Sequence, residues 1–359
     1  MAQYGPKDIA KSDRALWTEP MVSNTDFDIA SKCEMLVFIS VFNQYANYST
    51  DEIKNFTNLK SVNTTSVEKW KTETKKLLLE NFNSLEKESL DKIIKISQKP
   101  NWETLSSINI EKQLPKNLTA WHLNSKAFYQ YYVYEQVRLA ALSPKITSEI
   151  ETLNSNEITG KEFAQKHFLL TFDDGPTPVN GNTDKTMEML AKYNLHAVFY
   201  ALGESLQNRK SATSVASLQK LYAEQSLASH GKVHKSHQKM TDWKNSIDFT
   251  HDLIATISNK KEIDFRPPYG QRTKEVAKYL EKSNAKIVLW NLDSQDWNQK
   301  INATEVANRQ ITLMLLWRKG ILLFHDIHPK AQKAVPIIYN YFKNCKLSWV
   351  NSNYLKEIN

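Results

Sequence analysis

The chain has 359 residues, 41% of them hydrophobic and 24% charged, with a formal net charge of +8. That length suits two domains, and the composition excludes a disordered or fibrous chain. The basic balance favours an acidic polymer or surface as partner, but no stacking motif or compact basic run selects nucleic acid.

The most apolar run, Met35 to Phe42, is too short to cross a bilayer, which takes about 20 residues, so no transmembrane segment is expected. The start, Met1 to Asp8, lacks the charged and apolar regions of a signal peptide. A periplasmic or extracellular protein whose signal is absent from this chain fits best, with a cytoplasmic location as the alternative. Cys33 and Cys345 lie far apart without metal-ligand spacing, and two buried thiols are expected rather than a disulfide.

Glycine marks a boundary. Of eight glycines, only Gly5 precedes residue 160. Helices need few positive-φ turns, whereas an α/β region with short strand-to-helix loops needs many. The expected division is a helical N-terminal domain over 1–160, of unknown role, and an α/β domain over 161–359. In the first half, Thr65 to Glu68 has capping-box spacing before a helix carrying Val67, Trp70, Leu77 and Leu78. A second helical pattern runs through Leu85, Leu90, Ile93, Ile94 and Ile96, and a third spans Asn124 to Leu142.

The second half alternates short apolar runs with helix-like stretches. Phe168–Phe172 ends at Asp173, Ala197–Leu202 at Gly203, Ile287–Leu292 at Asp293, and Ile321–Phe324 at His325. Strands apolar on both faces imply a parallel sheet covered by helices. In such folds the residues just past the strand C-termini gather at one end.

Polar groups stand at those ends. Asp173 and Asp174 are adjacent carboxylates, which repel unless a cation or proton lies between them. His230 and His234 are four apart, and on a helical turn both imidazoles would face one metal. His237, three further on, is expected beside the site rather than as a ligand. Arg266, Pro267, Pro268, Tyr269 and Gly270 form a stiff loop able to fix a guanidinium and a backbone N–H. Asp293 to Trp297 offers two carboxylates and an apolar wall, and His325 offers an acid–base imidazole. Each signal alone is also what an ordinary turn or surface histidine would give.

Together and in this order, they resemble the five motifs of the NodB-type polysaccharide deacetylases, carbohydrate esterase family 4, over about residues 167–350. The resemblance implies a distorted (β/α) barrel and a metal-dependent amide hydrolase. It implies Asp173 as catalytic base, Asp174, His230 and His234 as metal ligands, and Arg266 as the partner of the base. It further implies the Tyr269 N–H as oxyanion donor, Asp296 as the group orienting His325, and His325 as general acid. Pro267, Tyr269, Trp297 and Leu323 would line the substrate site. Where the family usually has Ser or Thr after the first metal histidine, this chain has Gly231; Ser229 is the candidate substitute.

The implied reaction removes N-acetyl groups from amino sugars, and the cation expected is one divalent ion, zinc by default, with cobalt or nickel able to use the same ligands. The leading substrate is N-acetylglucosamine in peptidoglycan, whose anionic wall suits the basic chain; N-acetylmuramic acid, chitin oligomers, exopolysaccharide and lipid-linked sugars are alternatives. Other classes are a non-catalytic carbohydrate-binding protein, a scaffold and a cyclic-amide hydrolase. Asp173 and His325, both present, argue against the first and the complete Asp-His-His set against the last, while deletion of residues 1–160 would discriminate the scaffold.

Overall fold

The computed structural model describes residues 9–259 and 261–358. The chain divides into two compact units. The first takes Met1–Lys145, Ala307–Arg318 and Ile338–Leu347; the second takes Ile146–Val306, Lys319–Ile337 and Ser348–Asn359. The change of unit thus falls at 145/146 rather than at 160, and two segments of the second half join the first. Side-chain contacts explain why: the Trp317 indole N–H donates to the Tyr132 hydroxyl at 2.9 Å, and its ring packs 5.8 Å from that of Phe38. Nothing in the local sequence around 307–318 announces those distant partners.

The first unit is helical, with long helices over Asn24–Ala46, Thr64–Asn83 and Thr119–Leu142. Asn63 caps the second of these by accepting from Ser66 N, two residues earlier than the Thr65 signal suggested; the true capping box is Ser49 with Glu52. The helical pattern through Leu85–Ile96 yields only the single turn Lys87–Leu90. The cause is Lys32, fully buried, whose Nζ donates to the carbonyls of Ser89, Leu90, Lys92 and Ile94 at 2.6–3.1 Å. Carbonyls turned toward one ammonium are not aimed along a helix axis, and Ile93 sits at a left-handed φ of 62°. A second buried charge, Glu34, is satisfied by the Arg14 guanidinium, Trp121 Nε1 and the Tyr129 hydroxyl. Cys33 and Cys345 are buried and are not joined in a disulfide.

Among the described residues the second unit holds eight parallel-paired strands: β1 (Glu157–Ile158), β2 (His167–Asp173), β3 (Ala197–Ala201), β4 (Ser226–Ser229), β5 (Ile287–Val288), β6 (Leu292–Asp293), β7 (Gly320–His325) and β8 (Ser348–Val350). The main order is β4-β3-β2-β7-β6, with β8 on the start of β2 and β1 beside β5. Phe265 bridges Ser229 to Ile287, which carries the sheet round from β4 to β5. This is the distorted (β/α) barrel. The single strand expected over Ile287–Leu292 is two, because the chain changes partners midway: Val288 N bonds Phe265 O, whereas Leu292 pairs with Leu322 of β7.

Helices cover the outside. Trp243–Ser258 buries Ile247, Leu253, Ile254 and Ile257, a helical stripe. Leu169, Val198, Tyr200, Ala228, Ile321 and Leu323 form one core with Phe265, Ile287 and Ile247 of that helix. Among the described residues no helix is long and apolar enough to cross a membrane.

Candidate active site

Register places the chemistry. Thr171 is opposite Leu323 and Asp173 opposite His325 across the β2–β7 ladder. Residues two apart on a strand share a face, so all four look into the barrel interior with the core. Past Asp173 the chain kinks: Asp174 has φ 80°, its N–H bonds Tyr200 O, and the two adjacent carboxylates part company. Backbone in this region costs a non-glycine residue about 1–3 kcal/mol, so the surroundings must hold it. Asp326 does so from below: its carboxylate accepts from Thr183 Oγ1 at 2.7 Å and fills the space beside Gly175, where an added Cβ would lie 2.1 Å from it.

Asp173 is buried and bonds Arg266 Nη1 at 2.8 Å. The guanidinium spends its other donors on Thr171 Oγ1, Val288 O and Leu289 O, and lies 4.0 Å from the centre of the Tyr200 ring and 5.5 Å from that of Trp290. Burial pushes the Asp173 pKa up to about 6, with Arg266 and His325 pulling it back.

Asp174 faces two imidazoles. Its Oδ1 stands 3.5 Å from His230 Nε2 and 3.6 Å from His234 Nε2. His230 Nδ1 lies 2.7 Å from the Arg266 carbonyl; it must be the protonated nitrogen, because a carbonyl only accepts, so Nε2 keeps its lone pair. Burial lowers the pKa of both histidines, which keeps them neutral. Asp174 Oδ1 is buried without a hydrogen-bond partner. The three donor atoms lie within 4.8 Å of one another. Donors around a tetrahedral zinc, with bonds of about 2.0–2.1 Å, stand about 3.4 Å apart. The spacing, the orphaned oxygen and the two neutral imidazoles therefore fit a divalent cation. The two histidines sit on an irregular loop, not on the helical turn their spacing suggested.

Across from this cluster, His325 Nδ1 bonds Asp296 Oδ1 at 2.7 Å, and Asp296 Oδ2 accepts the His325 backbone N–H at 2.9 Å. Burial works against charge on this imidazole, but Asp296 overrides it and pushes the pKa up to about 10.

A sequence model of the polysaccharide deacetylase family matches residues 160–288. A peptidoglycan-N-acetylglucosamine deacetylase of Bacillus cereus is 27% identical over 216 residues, which is 58% of this chain and 75% of that protein. The peptidoglycan-N-acetylmuramic acid deacetylase PdaC of Bacillus subtilis is 26% identical over 254 residues, 70% of this chain but only 50% of its own length. Among solved structures, a peptidoglycan N-acetylglucosamine deacetylase matches with a TM-score of 0.50 at 21% identity, covering 56% of this chain and 92% of that one, and shows the fold. The chain carries a NodB-type polysaccharide deacetylase domain. Enzymes of this family are metal-dependent, in agreement with the Asp174–His230–His234 cluster.

The residues expected to line the substrate site differ in exposure. Tyr269 is 55% exposed, sits at φ 62°, and turns its ring edge-on to His234 at 4.4 Å. Trp297 is 51% exposed, whereas Leu323 and Pro267 are buried. A cavity of about 720 Å³ opens beside His234 and Tyr269, with Lys232, Lys235 and Lys239 in its wall. Several participants escaped the sequence reading: Thr171, Tyr200 and Trp290 around the guanidinium, and Thr183 with Asp326 under the Asp174 kink. Only the Asp directly after His325 gave any local signal.

Proposed function

We propose that the deacetylase domain hydrolyses the N-acetyl groups of amino sugars in a polysaccharide, most simply N-acetylglucosamine in peptidoglycan. The single observation that carries the reaction is the grouping of three units at the C-terminal ends of β2, β4 and β7: Asp173 locked by Arg266, the Asp174–His230–His234 cluster, and His325 locked by Asp296. A basic chain and two relatives named for peptidoglycan deacetylation support the substrate. N-acetylmuramic acid is the second reading, since one of those relatives is named for it. An exported location follows from such a substrate.

An amide resists water because its carbonyl is a poor electrophile and its amine a poor leaving group. Asp174, His230 and His234 would hold a divalent ion, zinc by preference and cobalt or nickel with the same ligands, which supplies Lewis acidity at the amide. Asp173 takes the proton of the attacking water, and Arg266 keeps its carboxylate in place. The Tyr269 N–H, set by its left-handed backbone, offers a donor to the oxyanion; one such donor is worth about 3–4 kcal/mol. His325, protonated and steadied by Asp296, gives its proton to the departing amine. Water and amide become acetate and a free amino sugar. Trp297, Leu323 and Pro267 shape the walls around the acetyl group.

The test is acetate release from purified peptidoglycan and from chitin oligomers, before and after chelation. Release from peptidoglycan that stops on chelation and returns with zinc supports the reading. Release from chitin oligomers alone reassigns the substrate, and release from neither refutes the activity.

A further inference from the structure

The loop after β4 departs from the family pattern at Gly231, and the structure shows what stands in the space. Gly231 has φ 79°, and a Cβ there would lie 2.7 Å from His237 Cε1, 2.9 Å from its Nε2 and 3.0 Å from Ser246 Oγ. His237 is fully buried, its ring 5.0 Å from that of Phe265. Its Nδ1 lies 3.1 Å from the Lys235 carbonyl, so Nδ1 carries the proton and Nε2 must accept. Ser246 Oγ, 3.1 Å from Nε2, is the donor, and the same oxygen accepts the Lys232 N–H at 2.9 Å. Every proton in this chain has one direction: Lys232 N–H to Ser246, Ser246 O–H to His237, His237 N–H to Lys235 O.

The two ends of that chain, Lys232 and Lys235, flank His234. Ser229 Oγ accepts the Gly231 N–H at 3.2 Å, so it braces the loop only at its second residue. We propose that His237 and Ser246 are a positioning pair that clamps the 232–235 segment, holds His234 Nε2 toward Asp174, and so sets the affinity of the site for its cation. The pair replaces a side chain at 231, for which the imidazole leaves no room. His237 has both nitrogens engaged and stands outside the ligand cluster, so it acts through His234 and not on the cation. The inference rests on the metal reading of the Asp174–His230–His234 cluster.

The test is zinc affinity, read by competition with a chromophoric chelator, for wild type, Ser246→Ala, His237→Phe and the double variant. Hydrogen-bonded partners of metal-ligating residues typically change affinity by about 10–100-fold. Each single variant is expected to weaken zinc by about tenfold or more, with a changed absorption spectrum of the cobalt-loaded protein and an unchanged melting temperature without metal. The double variant is expected to lose no more than either single one, because both break the same chain. Ser246→Thr, which keeps the hydroxyl, is expected to bind as wild type does. Unchanged zinc affinity in Ser246→Ala overturns the proposal, as does a lowered metal-free melting temperature with zinc affinity intact, which marks a purely structural bond. Wild-type protein that binds no zinc refutes the metal reading itself, a separate result.

Discussion

The carbonyl of Arg266 accepts the Nδ1–H of His230 at 2.7 Å while its guanidinium holds Asp173 at 2.8 Å. On the proposed mechanism one residue thus orients a metal ligand through its backbone and the base through its side chain. The two duties separate by mutation. Arg266→Lys keeps the carbonyl and the charge but loses the planar fork that spans Asp173, Thr171 and two backbone carbonyls. Metal content should stay near wild type while kcat falls by roughly 100-fold, the scale of a 1 Å misplacement. Metal analysis beside steady-state kinetics checks both halves.

The pH dependence follows from the acid and the base. Asp173 works only when ionised, so activity rises as pH passes its pKa, pushed to about 6 by burial; a bound cation moves that limb lower. His325 works only when protonated, so activity falls as pH passes its pKa, near 10 with Asp296 beside it. Asp296→Asn removes the negative charge that overrides burial. The alkaline limb of the kcat profile should then move down toward neutrality, while the acid limb moves little. An unmoved alkaline limb means that His325 is not the acid.

His234→Ala removes one of three donors. Zinc affinity should fall by more than the roughly 10–100-fold ascribed to hydrogen-bonded neighbours of ligands. Equilibrium dialysis measures this, and undiminished binding would move the ligand set elsewhere.

Lys32→Met tests the helical unit. Leu90 O and Lys92 O keep the backbone N–H groups of Ile96 and Ile94, but the substitution takes the ammonium from the Ser89 and Ile94 carbonyls, and one unsatisfied buried acceptor costs about 1–3 kcal/mol. A loss of at least about 3 kcal/mol is expected by denaturant unfolding, and a loss under about 1 kcal/mol would show that the segment repacks.

The same lysine shows where sequence reading stops. Leu85 to Ile96 has the apolar spacing of a helix, but the ammonium that captures its carbonyls comes from a residue more than fifty positions earlier. Asn24–Ala46 and β4 were likewise not read as elements: the first is buried on nearly every face and so lacks amphipathic contrast, and Ser226–Ser229 is too short and polar to announce itself. The site was far more legible. Asp173 and His325 end apolar strands and Asp174 follows at once, where local sequence dictates position, while the Arg266 loop is marked by its own prolines and glycine. Ser246 and Trp290 were invisible because their roles depend only on what the fold brings to them.

The most direct test of the account is acetate release by Asp173→Asn protein loaded with zinc to the wild-type level. The account predicts full metal occupancy with turnover lowered by about 10²–10⁴-fold, the usual contribution of a general base. Turnover near wild type at full occupancy would contradict it, for the base would then be another group.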